Sequence, residues 1–252
     1  MTALFYVLVA LFGVVAGGFL ARAAYAIPRG EYKQILAPRC ASCGRALPFK
    51  YVVPIVGAFL LRFRCPSCGE KQGAKTLCTE LSFAAICALL HLYYGFSYLF
   101  FLYVVLGGVL LVLSLIDLDI REIPHSLLFL ILLLGVMTFV FSFFSFSLSN
   151  TVWWEHLVGA FVISLPLFIL MMLTGGVGGG DVKLMFCLGL LLGYKLTLVC
   201  FLFGIVAAAV AAVILRIYAG KGGKYQLPLV PFLSLGAVAA LLWGNGLLGL
   251  LF

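Results

Sequence analysis

Apolar runs of 18 residues or more recur along this chain, and no other feature constrains its folding as tightly. Such a run matches the length an α-helix needs to cross a bilayer. Inside the hydrocarbon, a helix satisfies its own backbone N–H and C=O groups without water. Only 10% of the 252 residues are charged, 65% are hydrophobic, and the mean hydropathy is +1.26. Soluble domains carry about 25% charged residues, so a soluble globular fold is excluded. Hydropathy places about eight spans, at roughly 3–24, 77–94, 97–116, 125–146, 155–174, 182–194, 196–217 and 227–251. The expected fold is an all-α membrane protein. The first run is read as a retained helix, because no basic residue precedes it as one would in a secretory signal.

The net charge of +8 lies wholly within residues 22–75. That segment holds Arg22, Arg29, Lys33, Arg39, Arg45, Lys50, Arg62, Arg64, Lys71 and Lys75, against Glu31 and Glu70 alone. Clustered Lys and Arg beside spans mark the cytoplasmic side. This places the loop inside and the N-terminus outside. Loops 117–124, 175–183 and 218–226, with Arg121, Lys183, Lys221 and Lys224, then also fall inside. Lys195 alone falls outside, and Trp153 and Trp154 suit an outer aromatic belt. The expected organisation is a helix over 1–24, a cytoplasmic loop over 25–76 and a multi-span domain over 77–252. No nucleic acid is expected as a partner. The charge is read as topology and as attraction to anionic headgroups of membrane lipids.

The loop contains Cys40-Ala-Ser-Cys43-Gly44 and Cys65-Pro-Ser-Cys68-Gly69. This C-x2-C-x21-C-x2-C spacing is close to that of a zinc ribbon. Two thiolates three residues apart on a tight turn grip one face of a tetrahedral Zn²⁺, and the following glycine relieves the turn. Four cysteine ligands close the site, so the expected zinc is structural. Two disulfides are the alternative, disfavoured on a reducing cytoplasmic face. Cys78, Cys87, Cys187 and Cys200 sit in apolar spans and read as small hydrophobes.

Two acidic groups sit beside the spans. One is Asp117-Leu118-Asp119-Ile120-Arg121-Glu122-Ile123-Pro124, and the other is Gly175-Gly176-Val177-Gly178-Gly179-Gly180-Asp181-Val182-Lys183. Both belong to loops assigned to the inside, so Asp117 and Asp181 can converge at one membrane face. Paired carboxylates share a proton, activate water and protonate a carbonyl, which is the chemistry of an aspartyl protease. The structural alternatives are a helix N-cap for Asp181 and an interfacial charge for Asp117. Asp119 competes with Asp117 for the first role. Arg121, Glu122 and Lys183 read as loop charges or neighbours of the pair. His91, His125 and His156 have no ligand-spaced partner and read as packed or interfacial.

Taken in order, these elements resemble the bacterial type IV prepilin peptidases, aspartyl proteases of the GxGD class. Gly178-Gly179-Gly180-Asp181-Val182-Lys183-Leu184 is similar to that family's G-x-G-D-x-K-L element. Asp117 to Pro124 is similar to its D-x6-P element, a register that selects Asp117 over Asp119. The cysteine loop and Glu80 in Thr79-Glu80-Leu81 also match in position. Gly17-Gly18-Phe19-Leu20-Ala21-Arg22 departs from the family's G-S-F-L-N-V, and His125 replaces the usual Asp or Asn.

The resemblance implies an endopeptidase of the bacterial cytoplasmic membrane. It would cut short basic leaders from prepilins or pseudopilins at the cytoplasmic face, with Asp117 and Asp181 as the dyad. Gly178, Gly179 and Gly180 would let the substrate backbone lie beside Asp181, with Lys183 and Glu80 as accompanying site residues. Many members also methylate the new N-terminus with S-adenosylmethionine, although residues 22–75 show no Gly-rich cofactor loop. Two other classes compete. An ion-coupled transporter would use the same membrane acids, normally at the midplane and with an inverted repeat. A zinc-ribbon assembly platform of a pilus or secretion system would need neither aspartate.

Overall fold

Among the described residues, each apolar stretch read as a span is helical over most of its length. The computed structural model describes residues 2–32, 35, 40, 43–45, 64–65, 67–69, 74–144, 152–219 and 227–251. Of the charges used for topology, Lys33, Arg39, Lys50, Arg62, Glu70, Lys71, Lys221 and Lys224 lie outside the described residues. The described residues form nine helices and no strand. These are α1 (Thr2–Ala26), α2 (Ala74–Tyr94), α3 (Tyr98–Ile120), α4 (His125–Phe143), α5 (Trp153–Val162), α6 (Ser164–Thr174), α7 (Gly179–Leu192), α8 (Tyr194–Ala219) and α9 (Val230–Leu251). Among them, six helical stretches are long and apolar enough to cross a membrane. This is an all-helical, multi-pass membrane protein.

The chain divides into two compact units, Met1–Ile116 and Asp117–Phe252. In the first, α1 packs along α2. Gly13 and Gly17, one turn apart, make that approach possible. A Cβ on Gly13 would lie 2.6 Å from the Ala84 Cα, and one on Gly17 2.6 Å from the Glu80 Cα. Apolar burial drives no association in lipid, so small residues that let backbones touch take over that role.

In the second unit, α8 pairs with α9, and α7 packs on α4, α5 and α6. The stretch read as one span over 155–174 is two helices broken at Ile163. Pro166 explains the break. It has no N–H for the Val162 carbonyl, and its ring crowds the preceding turn. Helix α7 has 14 residues, so it is about 21 Å long, short of the roughly 30 Å of hydrocarbon. Its C-terminal end is tied down by side chains. The His156 Nδ1 donates to the Leu190 carbonyl over 2.9 Å, and Gly159 and Gly189 are in backbone contact. Beside them Lys195 pairs with the buried Glu155 at 3.0 Å. Lys195, the one basic residue that the sequence assigns to the outside, thus has a partner in Glu155, which the sequence does not single out.

Candidate active site

Helix α3 ends at Ile120, and the chain turns through Arg121, whose φ of 58° is the one left-handed non-glycine backbone among the described residues. The Arg121 amide donates to the Asp117 carbonyl at 3.1 Å, closing the last turn. Asp117 therefore sits on the final turn of α3, and it is buried, only 6% exposed. Asp119, two residues on, is exposed. The two candidates for the first carboxylate thus have opposite surroundings.

Asp181 is not the N-cap of its helix. Gly178 holds that place, with extended backbone (φ −70°, ψ 137°), and its carbonyl accepts the Asp181 amide at 3.1 Å. Asp181 is the third residue of α7, where a carboxylate reaches back to the capping residue's amide. Here its Oδ2 lies against Gly178, 3.1 Å from where a Cβ on that residue would stand. The glycine run explains this geometry. Gly175 ends α6 in the left-handed region at φ 63°, and Gly178 and Gly179 are exposed at the start of α7.

Gly180 brings the two motifs together. A Cβ there would lie 2.8 Å from the Ile123 Cδ1 and 3.2 Å from its Cβ. Ile123, the residue before Pro124, thus lies directly over the turn that carries Asp181. The carboxyl groups of Asp117 and Asp181 are near enough to act on each other electrostatically. Arg121 is close enough to attract Asp117. A further contact comes from the far end of the chain. The Val230 amide, at the first turn of α9, donates to the Asp117 Oδ2 over 3.2 Å. First-turn amides have no partner within their own helix, so this one is available to a carboxylate. The sequence reading did not single out Val230. The available signal was the pair Pro228 and Pro231, which marks a helix start.

Lys183 is exposed on the first turns of α7. Glu80 belongs to the first unit, where it is 3% exposed. Its Oε1 lies where a Cβ on Gly18 would approach to 2.8 Å, and Arg22 attracts it. Arg22 in turn donates through Nε to the Ile35 carbonyl at 3.1 Å, which ties the start of the loop to α1.

The four loop cysteines converge. The Sγ atoms of Cys40 and Cys68 are 3.6 Å apart and those of Cys43 and Cys65 are 4.0 Å apart. All four lie within 4.8 Å of one another. A regular tetrahedron with Zn–S bonds of about 2.3 Å has S···S edges of about 3.8 Å, and a disulfide would need about 2.05 Å. The cluster therefore has the dimensions of a metal cradle. Its two halves are alike. Gly44 donates to the Cys40 carbonyl and Gly69 to the Cys65 carbonyl, each at 2.9 Å, with φ of 69° and 72°. Hydrogen bonds from the Ser67 and Cys68 backbone amides pull the Cys65 thiol down to about 6, toward the thiolate a metal requires.

Residues 104–213 match the model of the Type IV leader peptidase family. Residues 11–94 match that of the Bacterial Peptidase A24 N-terminal domain. A Bacillus subtilis protein named prepilin leader peptidase/N-methyltransferase is 30% identical, with 94% of each chain covered. Proteins of the same name from Stutzerimonas stutzeri and Pseudomonas aeruginosa are each 29% identical. They cover 86% and 82% of this chain and 76% and 71% of their own. No solved structure matches the chain.

Proposed function

This chain belongs to the type IV leader peptidase family, and we propose that it cuts the leaders of prepilins or pseudopilins with Asp117 and Asp181 as its catalytic carboxylates. The observation that carries this reading is the contact of Ile123 with Gly180, which joins the two motifs so that their carboxyl groups interact. Carboxyl groups that act on each other in a part-buried site do not both ionise cheaply, and in this reading the pair holds one proton between them. The ionised member takes a proton from water as that water attacks the scissile carbonyl. The protonated member donates to the carbonyl oxygen as the tetrahedral intermediate forms. Collapse of the intermediate returns a proton to the leaving amine. Gly178 and Gly179, exposed beside Asp181, leave room for an extended substrate backbone, and Lys183 flanks that path. The positive-inside rule puts this end of α3 and α7 at the cytoplasmic face of the bacterial inner membrane. Arg22, attracted by Glu80, holds the start of the loop to α1.

Cys40, Cys43, Cys65 and Cys68 would hold a structural Zn²⁺, whose four thiolates leave no position for substrate. The chemistry a bound zinc supplies is cross-linking of a loop too polar to build its own core. Mass spectrometry of the product N-terminus, with S-adenosylmethionine present, tests methylation separately.

The deciding experiment is cleavage of a leader-bearing prepilin by the membrane-reconstituted enzyme. Asp117→Ala and Asp181→Ala should abolish cutting, and Asp119→Ala should retain most of it. Normal processing by either of the first two removes the dyad. Loss in Asp119→Ala alone would move the first carboxylate two residues on.

A further inference from the structure

The two aspartates sit in unlike surroundings. Asp117 is buried, and its Oδ2 accepts the Val230 amide at 3.2 Å. The start of α9 explains why that amide is available. The Phe232 and Leu233 amides both bond the Leu229 carbonyl, and Pro231 has no N–H to give. Val230 therefore carries the first-turn donor that α9 does not use itself. Its position is fixed by packing. Val230 and Leu233 are fully buried, and Gly236, further along α9, seats against the Cys200 carbonyl of α8 with no room for a Cβ. Asp181 is half-buried at the start of α7, with its Oδ2 against Gly178. Charge separates the two as well. Arg121 attracts Asp117, whereas Asp181 faces the Asp117 carboxyl. Helix α9 has no titratable side chain, so what it gives Asp117 is the amide alone. Asp119, Glu122, His125 and Lys183, in the neighbouring turns, are exposed, and water weakens their fields.

We propose that the Val230 amide is the positioning group that assigns the two roles, holding Asp117 as the ionised, water-activating carboxylate and leaving the shared proton on Asp181. This rests on the reading of the pair as catalytic. A hydrogen bond given to a carboxylate favours its ionised form, and a bond to a charged acceptor is about twice as strong as a neutral one. Asp181 has the dipole of the α7 N-terminus in its favour. A helix-end dipole acting on a half-exposed carboxylate is nevertheless weaker than a direct bond to a buried one. The Arg121 guanidinium adds to the Asp117 side. With Oδ2 held by Val230, Oδ1 is the oxygen left to take a proton from water. The new C–O bond forms as that proton passes to Asp117 and the Asp181 proton passes to the carbonyl oxygen. On collapse the C–N bond breaks and Asp117 gives its proton to the leaving amine. Asp181 takes one back from a hydroxyl of the tetrahedral carbon, so both carboxyl groups return to their starting states.

The test is Val230→Pro in the full chain, reconstituted in lipid nanodiscs, with a leader-bearing prepilin cleaved across a range of pH. Val230 is the first residue of α9, where the fixed φ of proline suits a helix. Leu229, which would then precede a proline, lies outside the helix. The substitution thus removes the N–H and keeps the turn. It should lower kcat at neutral pH roughly tenfold or more and leave KM within about twofold. It should also move the acidic limb of kcat/KM up by about one pH unit, because Asp117 without its donor is harder to ionise. Val230→Ala keeps the N–H. It should lower the melting temperature, since it empties a buried site, and show the acidic limb of the parent. If thermal unfolding shows that Val230→Pro does not fold, the ester analogue of valine at position 230, introduced by nonsense suppression, replaces the N–H with oxygen and should give the same shift. A parent-like acidic limb in the folded proline or ester variant, or an equal shift in Val230→Ala, overturns the assignment. Normal cutting by Asp117→Ala would instead remove the dyad itself, so the two failures are read apart.

Discussion

Gly180→Ala tests whether the two motifs depend on each other. The added Cβ would lie 2.8 Å from the Ile123 Cδ1, 3.1 Å from its Cγ1 and 3.2 Å from its Cβ. Carbon atoms prefer about 3.5 Å or more, so the shortest contact is too close by about 0.7 Å. Rotation of Ile123 relieves the Cδ1 contact but not the one at Cβ, which moves only with the backbone. The loop that follows Asp117 must then shift away from the turn that carries Asp181. Overpacking of this kind costs about 1–3 kcal/mol. Spent wholly on catalytic geometry, that is a loss of roughly 5- to 150-fold in kcat. The assay is steady-state cleavage of a prepilin substrate, with thermal unfolding in the same detergent to confirm that the variant folds. Adding Ile123→Ala removes the Cδ1 and Cγ1 contacts and leaves only the one at 3.2 Å. The double variant should therefore recover part of the lost activity. A Gly180→Ala enzyme as active as the parent, or a double variant no better than Gly180→Ala, would refute the idea that Ile123 over Gly180 sets the spacing of the aspartates.

Other parts of the structure give equally direct outcomes. Gly17→Ala drives a Cβ to 2.6 Å from the Glu80 backbone and should destabilise the α1–α2 pair by about 1–3 kcal/mol. Gly246→Ala, inside α9 with nothing within 4 Å of the new atom, should leave the melting temperature the same or raise it slightly. His156→Phe leaves the Leu190 carbonyl without its side-chain donor and should cost about 1–3 kcal/mol in thermal unfolding. Metal analysis of the purified chain should give one zinc per molecule, and Cys40→Ser with Cys65→Ser should abolish it. Limited proteolysis should then cut the zinc-free variant within residues 25–76 far faster than the parent.

The all-helical class and the helix positions were legible in the sequence because a bilayer reduces the problem to local terms. A run of about 20 apolar residues has one stable conformation in hydrocarbon, whatever its neighbours do. The cysteine cradle was legible for a related reason. Each Cys-x2-Cys-Gly turn is a local device, and only the pairing of the two turns is long-range. The break at Ile163 had a visible cause in Pro166, yet hydropathy does not register it, because a broken apolar helix is as apolar as a continuous one.

The residues of the candidate site were likewise legible as two motifs, Asp117 to Pro124 and Gly178 to Lys183. The sequence by itself determined which residue types are present, on which helix ends, and in what register to Pro124 and the glycine run. Only the tertiary structure decided how they meet. It showed Ile123 resting on Gly180, Asp181 as the third residue of α7 rather than its cap, and the Val230 amide reaching Asp117 from 113 residues away. It also showed His156 and the Glu155–Lys195 pair securing the C-terminal end of the short helix. The reason is physical. Helix formation in lipid is driven by each segment's own backbone and composition, but lipid gives no hydrophobic preference for one helix neighbour over another. That choice falls to close backbone approach at single glycines and to a few buried hydrogen bonds, and neither leaves a periodic signal in the sequence.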